Sequence, residues 1–371
     1  MSDVIVVGGG VIGLSVAYEL AGRGRRVLLL EQGQIGQEAS WAGAGMLPPG
    51  NPQFAHTPEA VLRAHSHVRW SSLSNELFEL TGIDNGYRRC GGLEICFERS
   101  LEQFEPEIAV WREEGVEVEP LDAADLRKLE PTISPAVRAG YRLPTMAQIR
   151  NPRHLKALTA ACARRGVEFR TGTPVLSFER QGERVVGVRT PLERIFADQV
   201  VVTTGSWTAA LLSDVGCEIE LQPIRGQITL LSLPSPPFTH LLNVGPRYLV
   251  ARPDGRILIG ATEERCGFDK RNTASAVGGL LTFGTQVVPQ LASAKFERAW
   301  AGLRPRTSDD LPYLGAVPGM SNLFIAAGHF RSGLQMSAIT GVVMTQLLLG
   351  EPTEFPLTPF ACERGLRKSS S

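Results

Sequence analysis

Gly8, Gly10 and Gly13 fall at the spacing GxGxxG, and the acid Glu31 ends an apolar run, Val27-Leu28-Leu29-Leu30. Each of these positions has a chemical reason. A glycine at 8 permits a tight turn, one at 10 removes the side chain that would block a pyrophosphate, and one at 13 lets a helix pack close to a strand. The helix that follows, entered through Val11 and Ile12, points free N–H groups and a partial positive charge at phosphates. Glu31, followed by Gln32, stands where an acid accepts hydrogen bonds from ribose hydroxyls. The chemistry is dinucleotide binding, and this fingerprint alone does not separate NAD from FAD.

Three later segments favour FAD, whose isoalloxazine ring must be gripped beyond a single strand–helix–strand crevice. Ser40-Trp41-Ala42-Gly43-Ala44-Gly45-Met46 is a small-residue run where backbone can approach a flat ring. Val200-Val201-Val202-Thr203-Thr204-Gly205 brings a second strand end to the crevice. Gly328-His329-Phe330-Arg331-Ser332-Gly333 leads through Leu334 and Gln335 into a last helix. The N-terminus of that helix would favour negative charge at the N1–C2=O edge of a reduced flavin. The histidines are scattered, and no carboxylate cluster suggests a metal. Cys90, Cys96, Cys162, Cys217, Cys266 and Cys362 form no CxxC pair. Free thiols in a reducing cytoplasm are the expectation.

The elements that must position these residues begin with a buried strand at Val4–Val7, a helix over Leu14–Ala21 and a strand at Val27–Leu30. Further helices are expected over 59–81, 99–115, 123–129, 151–165, 206–213, 275–290 and 334–349. Strands are expected at 91–97, 167–169, 175–178, 185–188, 199–203, 228–233, 248–251, 257–259 and 323–327, with a hairpin turn at Gln181-Gly182-Glu183. A frayed tail is expected over 367–371. The chain opens and closes with strand–glycine–helix units, so both ends should build one domain. At 371 residues, two domains are the default. Hydrophobic content of 43% and charged content of 20% suit a globular enzyme. Lys+Arg and Asp+Glu both count 38, which argues against a nucleic-acid surface. No apolar run approaches a membrane span, and the first residues lack a signal peptide's basic region, so a cytoplasmic location is expected.

The sequence resembles the FAD-dependent amino-acid oxidases of the glycine oxidase, D-amino-acid oxidase and sarcosine oxidase group, with the nearest likeness to bacterial glycine oxidases of thiamine biosynthesis. The matching stretches are Val4–Glu31, Glu38–Met46, Pro223–Gln227, Tyr248 with Gly260-Ala261-Thr262, Trp300-Ala301-Gly302-Leu303-Arg304-Pro305 and Gly328–Gly333. The last two are the most specific. The resemblance implies an α/β fold: a Rossmann-like FAD-binding domain of the glutathione-reductase-like type, and a second α+β substrate domain built on an antiparallel sheet. The FAD domain is expected over 1–85, 146–220 and 300–371, and the substrate domain over 86–145 and 221–299. By motif position, Arg304 would bind a substrate carboxylate with help from Tyr248, Arg331 would lie by the flavin, and Val175 would sit at the adenine end. Sarcosine oxidases hold their flavin through a cysteine. None stands near Pro312-Tyr313-Leu314-Gly315, so non-covalent FAD is expected. Glu263 departs from the family, because an apolar residue can line the pocket there.

The expected reaction is flavin-dependent oxidation of a small amino acid, with glycine first and sarcosine or small D-amino acids next. A hydride equivalent moves from Cα to flavin N5, and oxygen is reduced to hydrogen peroxide. The imine either hydrolyses to oxo acid and ammonia or passes to a thiazole synthase. A dehydrogenase that feeds a membrane quinone and a non-catalytic flavoprotein are the competing readings. Individual residues keep bland alternatives. Arg304 reads also as a salt-bridge arginine, Tyr248 as a core aromatic, and Arg331 as partner to a carboxylate away from the ring. His329 either packs or does acid–base work. Arg331 and Arg252 are the reserve carboxylate anchors. Homo-oligomers are compatible with the sequence.

Overall fold

The runs Val4–Val7 and Val27–Leu30 are apolar at every position because both faces of their sheet are covered. Val4, Val6, Val27 and Leu29 face a helical layer that includes Leu14, Leu155, Ile339 and Val343. Ile5, Val7, Leu28 and Leu30 face the other way, toward Phe178, Val185, Val188 and Leu212. The computed structural model describes residues 2–366. The expected tail over 367–371 lies outside the described residues.

The parallel sheet runs Glu168–Arg170, Val27–Leu30, Ser2–Val7, Arg194–Val202, Leu323–Ala327 in spatial order. Tyr313–Ala316 joins its edge antiparallel. Strands from the start, middle and end of the chain are therefore hydrogen-bonded neighbours. The loops after Val7, Val202 and Ala327 emerge at one carboxyl edge, the place where such sheets receive ligands. The expected hairpin forms from Ser177–Gln181 and Arg184–Arg189, packed antiparallel on the first half of Arg194–Val202.

The second sheet has the order Lys295–Arg306, Gln222–Ser232, Arg256–Gly260, Arg247–Ala251, Leu241–Val244, Gly92–Cys96, Ala139–Leu143, Glu119–Asp122. All its pairs are antiparallel except that between Leu241–Val244 and Gly92–Cys96. The helix Ala274–Val287 covers one face through Leu280, Phe283 and Val287. A small three-stranded sheet joins Met46–Leu47, Ala147–Gln148 and Arg88–Arg89.

Several elements differ from the sequence expectation. The helix expected over 99–115 begins as a 3₁₀ turn, Leu101–Phe104, capped by Ser100, and becomes α-helical only at Glu105–Glu113, where Pro106 fits the first turn. The strand expected at 175–178 is Ser177–Gln181, so Val175 lies in the loop before it. The helix expected over 206–213 is a 3₁₀ turn, Gly205–Trp207, followed by the short Thr208–Leu212. Lys295–Arg306 is a long strand that the pattern does not announce. Its first half is exposed and charged, and it contains Pro305, which an edge strand tolerates. The expected domain boundary at 300 falls inside this continuous strand.

The first helix, Val11–Gly22, lies against the last, Gly333–Leu348. Their approach depends on Gly341: a Cβ there would stand 2.8 Å from the Ser15 carbonyl oxygen. We expect Gly341→Val to destabilise the protein by roughly 1–3 kcal/mol through overpacking. Thermal melting reads this out, and an unchanged melting temperature would show that the helices part at no cost.

Candidate active site

A cavity of about 600 Å³ is lined by residues of both sheets. Gly8, Gly10, Val11, Ile12, Glu31, Gln32, Ser40, Ala44, Gly45, Met46, Val175, Thr204, Gly205, Gly333, Leu334 and Gln335 all border it, as do Tyr248, Arg304 and Arg331. Gly13 and Ser332 do not. Gly13 instead packs on the loop: a Cβ there would collide with the Gly8 carbonyl oxygen. Ser332 precedes the last helix without a side-chain cap bond.

The three fingerprint glycines are needed for different reasons. Gly8 has φ +111°, a conformation that glycine alone adopts readily, and a Cβ would stand 2.8 Å from the Thr203 carbonyl carbon. Gly10 has ordinary extended angles (φ −74°, ψ 178°), and a Cβ would meet nothing of the chain closer than Ser40 Oγ at 3.2 Å. Neither its backbone nor its neighbours demand glycine. The space it leaves opens into the cavity, which is the shape a pyrophosphate requires.

Hydrogen bonds tie this loop to distant segments. Glu31 accepts from Gly9 N–H at 2.7 Å and, through its other oxygen, from Gly33 N–H at 2.8 Å. The acid therefore holds the loop together, and each oxygen keeps a further lone pair for a ribose hydroxyl. Thr203, which sequence reasoning passed over, donates its hydroxyl hydrogen to the carbonyls of Val7 and Gly8, both at 2.9 Å. One expectation is corrected. The Val11 N–H is not free for a phosphate, because it donates to Ser40 Oγ at 2.9 Å. Ser40 caps the helix start from the neighbouring segment.

The small-residue run is clamped from two sides. Asn151 donates Nδ2–H to the Ser40 carbonyl at 2.7 Å, while its buried Oδ1 has no partner. Arg252 donates to the Ala44 carbonyl at 2.7 Å and to Gln148 Oε1 at 2.6 Å. Burial pulls the Arg252 pKa down to about 10. Arg252 does not line this cavity, so it is no reserve anchor there. Trp300 Nε1–H donates to the Ala42 carbonyl at 3.0 Å, and a Cβ on Gly302 would stand 2.6 Å from Ala42 Cβ. The motif Trp-Ala-Gly-Leu-Arg-Pro is thus the seam where the second sheet touches this run.

Arg304 and Tyr248 each lie against a glycine of that sheet. A Cβ on Gly226 would collide with the Arg304 guanidinium, and one on Gly260 would overlap the Tyr248 hydroxyl end, with its Cε2 at 2.6 Å. Arg304 Nη1 donates to the Thr262 carbonyl at 3.0 Å. Among the described residues it has no carboxylate partner, which removes the salt-bridge reading. Burial raises the Tyr248 phenol pKa, against a smaller opposite pull from Arg304. The phenol therefore remains a proton donor at neutral pH.

Arg331 and Glu263 form an ion pair that borders the cavity, with Arg306 Nη1 3.5 Å from the same carboxylate. Arg331 thus pairs with a carboxylate, and both members of the pair stand on the cavity wall. His329 packs: it is 3% exposed, its Nε2 lies 3.1 Å from Thr340 Oγ1, and burial lowers its pKa to about 3. It stays neutral, and it borders the same cavity. No cysteine among the described residues borders the cavity.

A dinucleotide cradle therefore shares one chamber with a free guanidinium and a protonated phenol. The family model for FAD-dependent oxidoreductases matches residues 3–347. The chain belongs to this family, and FAD is its cofactor. It is 34% identical to a glycine oxidase of Pseudomonas putida over 366 residues, 97% of this chain and 98% of that protein. It is 32% identical to the bifunctional protein ThiO/ThiG of Synechocystis over 98% of this chain and 54% of that protein. The crystal structure of glycine oxidase from Geobacillus kaustophilus superposes with a TM-score of 0.92 at 32% identity, covering 99% of each chain. The α/β architecture with a Rossmann-like domain and a second sheet is thus the family fold. No helix among the described residues is long and apolar enough to cross a membrane.

The Gly10 cradle gives a direct test. Gly10→Val should fold, because only Ser40 Oγ lies close, yet should purify with little or no flavin. Full flavin occupancy in this variant would show that the pyrophosphate lies elsewhere.

Proposed function

We propose that this enzyme oxidises the Cα–N bond of a small amino acid, with glycine preferred. The observation that carries the reading is Arg304: a guanidinium in the flavin chamber, backed by Gly226, with no carboxylate partner among the described residues. A guanidinium grips a carboxylate with two parallel hydrogen bonds. Tyr248, kept protonated by burial, donates a further bond to the same acid. FAD, which the Gly8–Gly10 loop and Glu31 would hold, would supply the two-electron oxidant for this bond with oxygen as the final acceptor, so that the products would be imino acid and hydrogen peroxide. The imino acid then takes up water and yields oxo acid and ammonia.

Glu263 fits this reading because Arg331 and Arg306 neutralise it. An unpaired acid there would repel the substrate carboxylate. That no cysteine among the described residues borders the cavity supports non-covalent FAD. The likeness to glycine oxidases over nearly the whole chain supports glycine. The likeness to proteins named ThiO/ThiG supports delivery of the imine to a thiazole synthase as a second fate.

Replacing Arg304 with Ala should raise the apparent KM for amino acids roughly 10- to 150-fold, the loss of a charged hydrogen bond. The flavin should stay bound, and amines without a carboxylate should be far less affected. Equal losses for glycine and a simple amine would mean that Arg304 acts structurally. A second measurement ranks kcat/KM for glycine, sarcosine, D-alanine and D-phenylalanine by peroxide release. An open pocket would gain about 0.8 kcal/mol per buried CH₂ and favour the larger substrates. A tenfold preference for D-phenylalanine would therefore overturn the small-substrate reading, and turnover without peroxide would overturn the oxidase reading.

A further inference from the structure

A second cavity, of about 430 Å³, adjoins the first and shares Gly43 and Asn151 with it. Arg150, Arg252, Arg256 and Arg298 line it, with Glu297 as the only carboxylate on its wall among the described residues. Asp254, behind the wall, pairs with Arg150 at 2.7 Å and with Arg256 at 3.0 Å. Glu297 pairs with Arg256 at 3.2 Å. These two carboxylates leave Arg252 and Arg298 without an anionic partner among the described residues.

Arg252 is the decisive group. It is 5% exposed, and its Nε has no partner. Its two terminal nitrogens meet only neutral oxygens, those of Gln148 and Ala44. A buried cation that lacks an anion is costly, and the cost is recovered if an anion comes to it. Arg298 is exposed at the rim, its guanidinium carbon 5.2 Å and 5.4 Å from the Trp41 and Trp300 ring centres. The helix Asn151–Arg164 also begins at this wall, so its partial positive charge adds to the two uncompensated cations.

We propose that this cavity is an anion-binding site for a tetrahedral dianion of the phosphate class, separate from the pyrophosphate cradle. Two uncompensated guanidinium groups match a double negative charge, and the unpartnered Nε–H of Arg252 and the fork of Arg298 are the donors left for its oxygens. The site draws on none of the residues assigned to substrate, so it stands or falls apart from the proposed reaction.

The test is calorimetric titration of the FAD-saturated enzyme with inorganic phosphate, at ionic strength held constant with chloride. Saturating FAD keeps the first cradle filled. Saturable one-to-one binding is expected, with a Kd of about 1 mM or tighter. Arg298→Gln should weaken it about tenfold or more, and Arg298→Lys, which keeps the charge, should lose less. Glu297→Gln should tighten it by about two- to fivefold, because it removes an opposing exposed charge. The gain-of-affinity variant guards against a loss that merely reflects misfolding. No saturable binding, or equal binding by chloride, would overturn the proposal. An unchanged Kd in both Arg298→Gln and Glu297→Gln would mark an adventitious ion only and would also overturn it.

Discussion

Val4–Val7 pairs in parallel with Gln199–Val202, and Val200–Val202 pairs in turn with Leu323–Ile325. The cofactor end of the molecule depends on this adjacency. Three chain segments, far apart in sequence, end side by side at one edge. The turns that follow them must then pass one another with almost no side-chain volume between. Gly8 and Gly13 meet that demand, and the Thr203 hydroxyl fastens the first two turns together through two carbonyls. Gly10 alone answers to something outside the chain. A chamber at that edge is thus a by-product of closing it tightly, and Gly10 is the one fingerprint glycine that the chain's own packing does not require.

The second constraint is the seam between the sheets. Trp300, Gly302 and Arg304 lie on one strand, and alternation would send all three to one face. The first two settle against the small-residue run through the Ala42 carbonyl and Cβ. The third therefore arrives over the same run, inside the chamber. The register between Gln222–Ser232 and Lys295–Arg306 fixes how far along it stands, opposite Ile224. Arg252, just past the end of the strand Arg247–Ala251, reaches the Ala44 carbonyl and holds the run from a third element.

Much of this was legible in the sequence, and the limits have physical causes. Local grammar served well where a segment answers to its own neighbours. The glycine loop, the hairpin at Gln181-Gly182-Glu183 and the helix Pro58–Thr81, with its Thr57 cap, are of this kind. The strand Lys295–Arg306 was hidden, because an edge strand with one charged, exposed half lacks the apolar alternation that marks a buried one. The residues that border the chamber were largely identifiable, but their partners were not. Nothing within reach of Val11 in the chain indicates that Ser40 takes its N–H. Nothing near Glu263 indicates that Arg331 and Arg306 will neutralise it. Asn151 read only as a helix start, since its bond to the Ser40 carbonyl spans more than a hundred residues. Long-range side-chain pairing has no sequence period, so it is absent from any pattern.

Arg304 and Glu263 face the same chamber from unlike supports. The arginine sits within the longest ladder of the second sheet, its guanidinium flat against Gly226. Glu263 lies past the end of Arg256–Gly260, outside any named strand and partly exposed. The arginine's position is set by backbone pairing along that ladder, whereas that of Glu263 is set by its ion pairs with Arg331 and Arg306 at the cavity wall. One part of the chamber wall is thus fixed by a ladder of backbone hydrogen bonds and another by side-chain charges alone, so the second can be re-tuned by a single side chain with little cost to the fold.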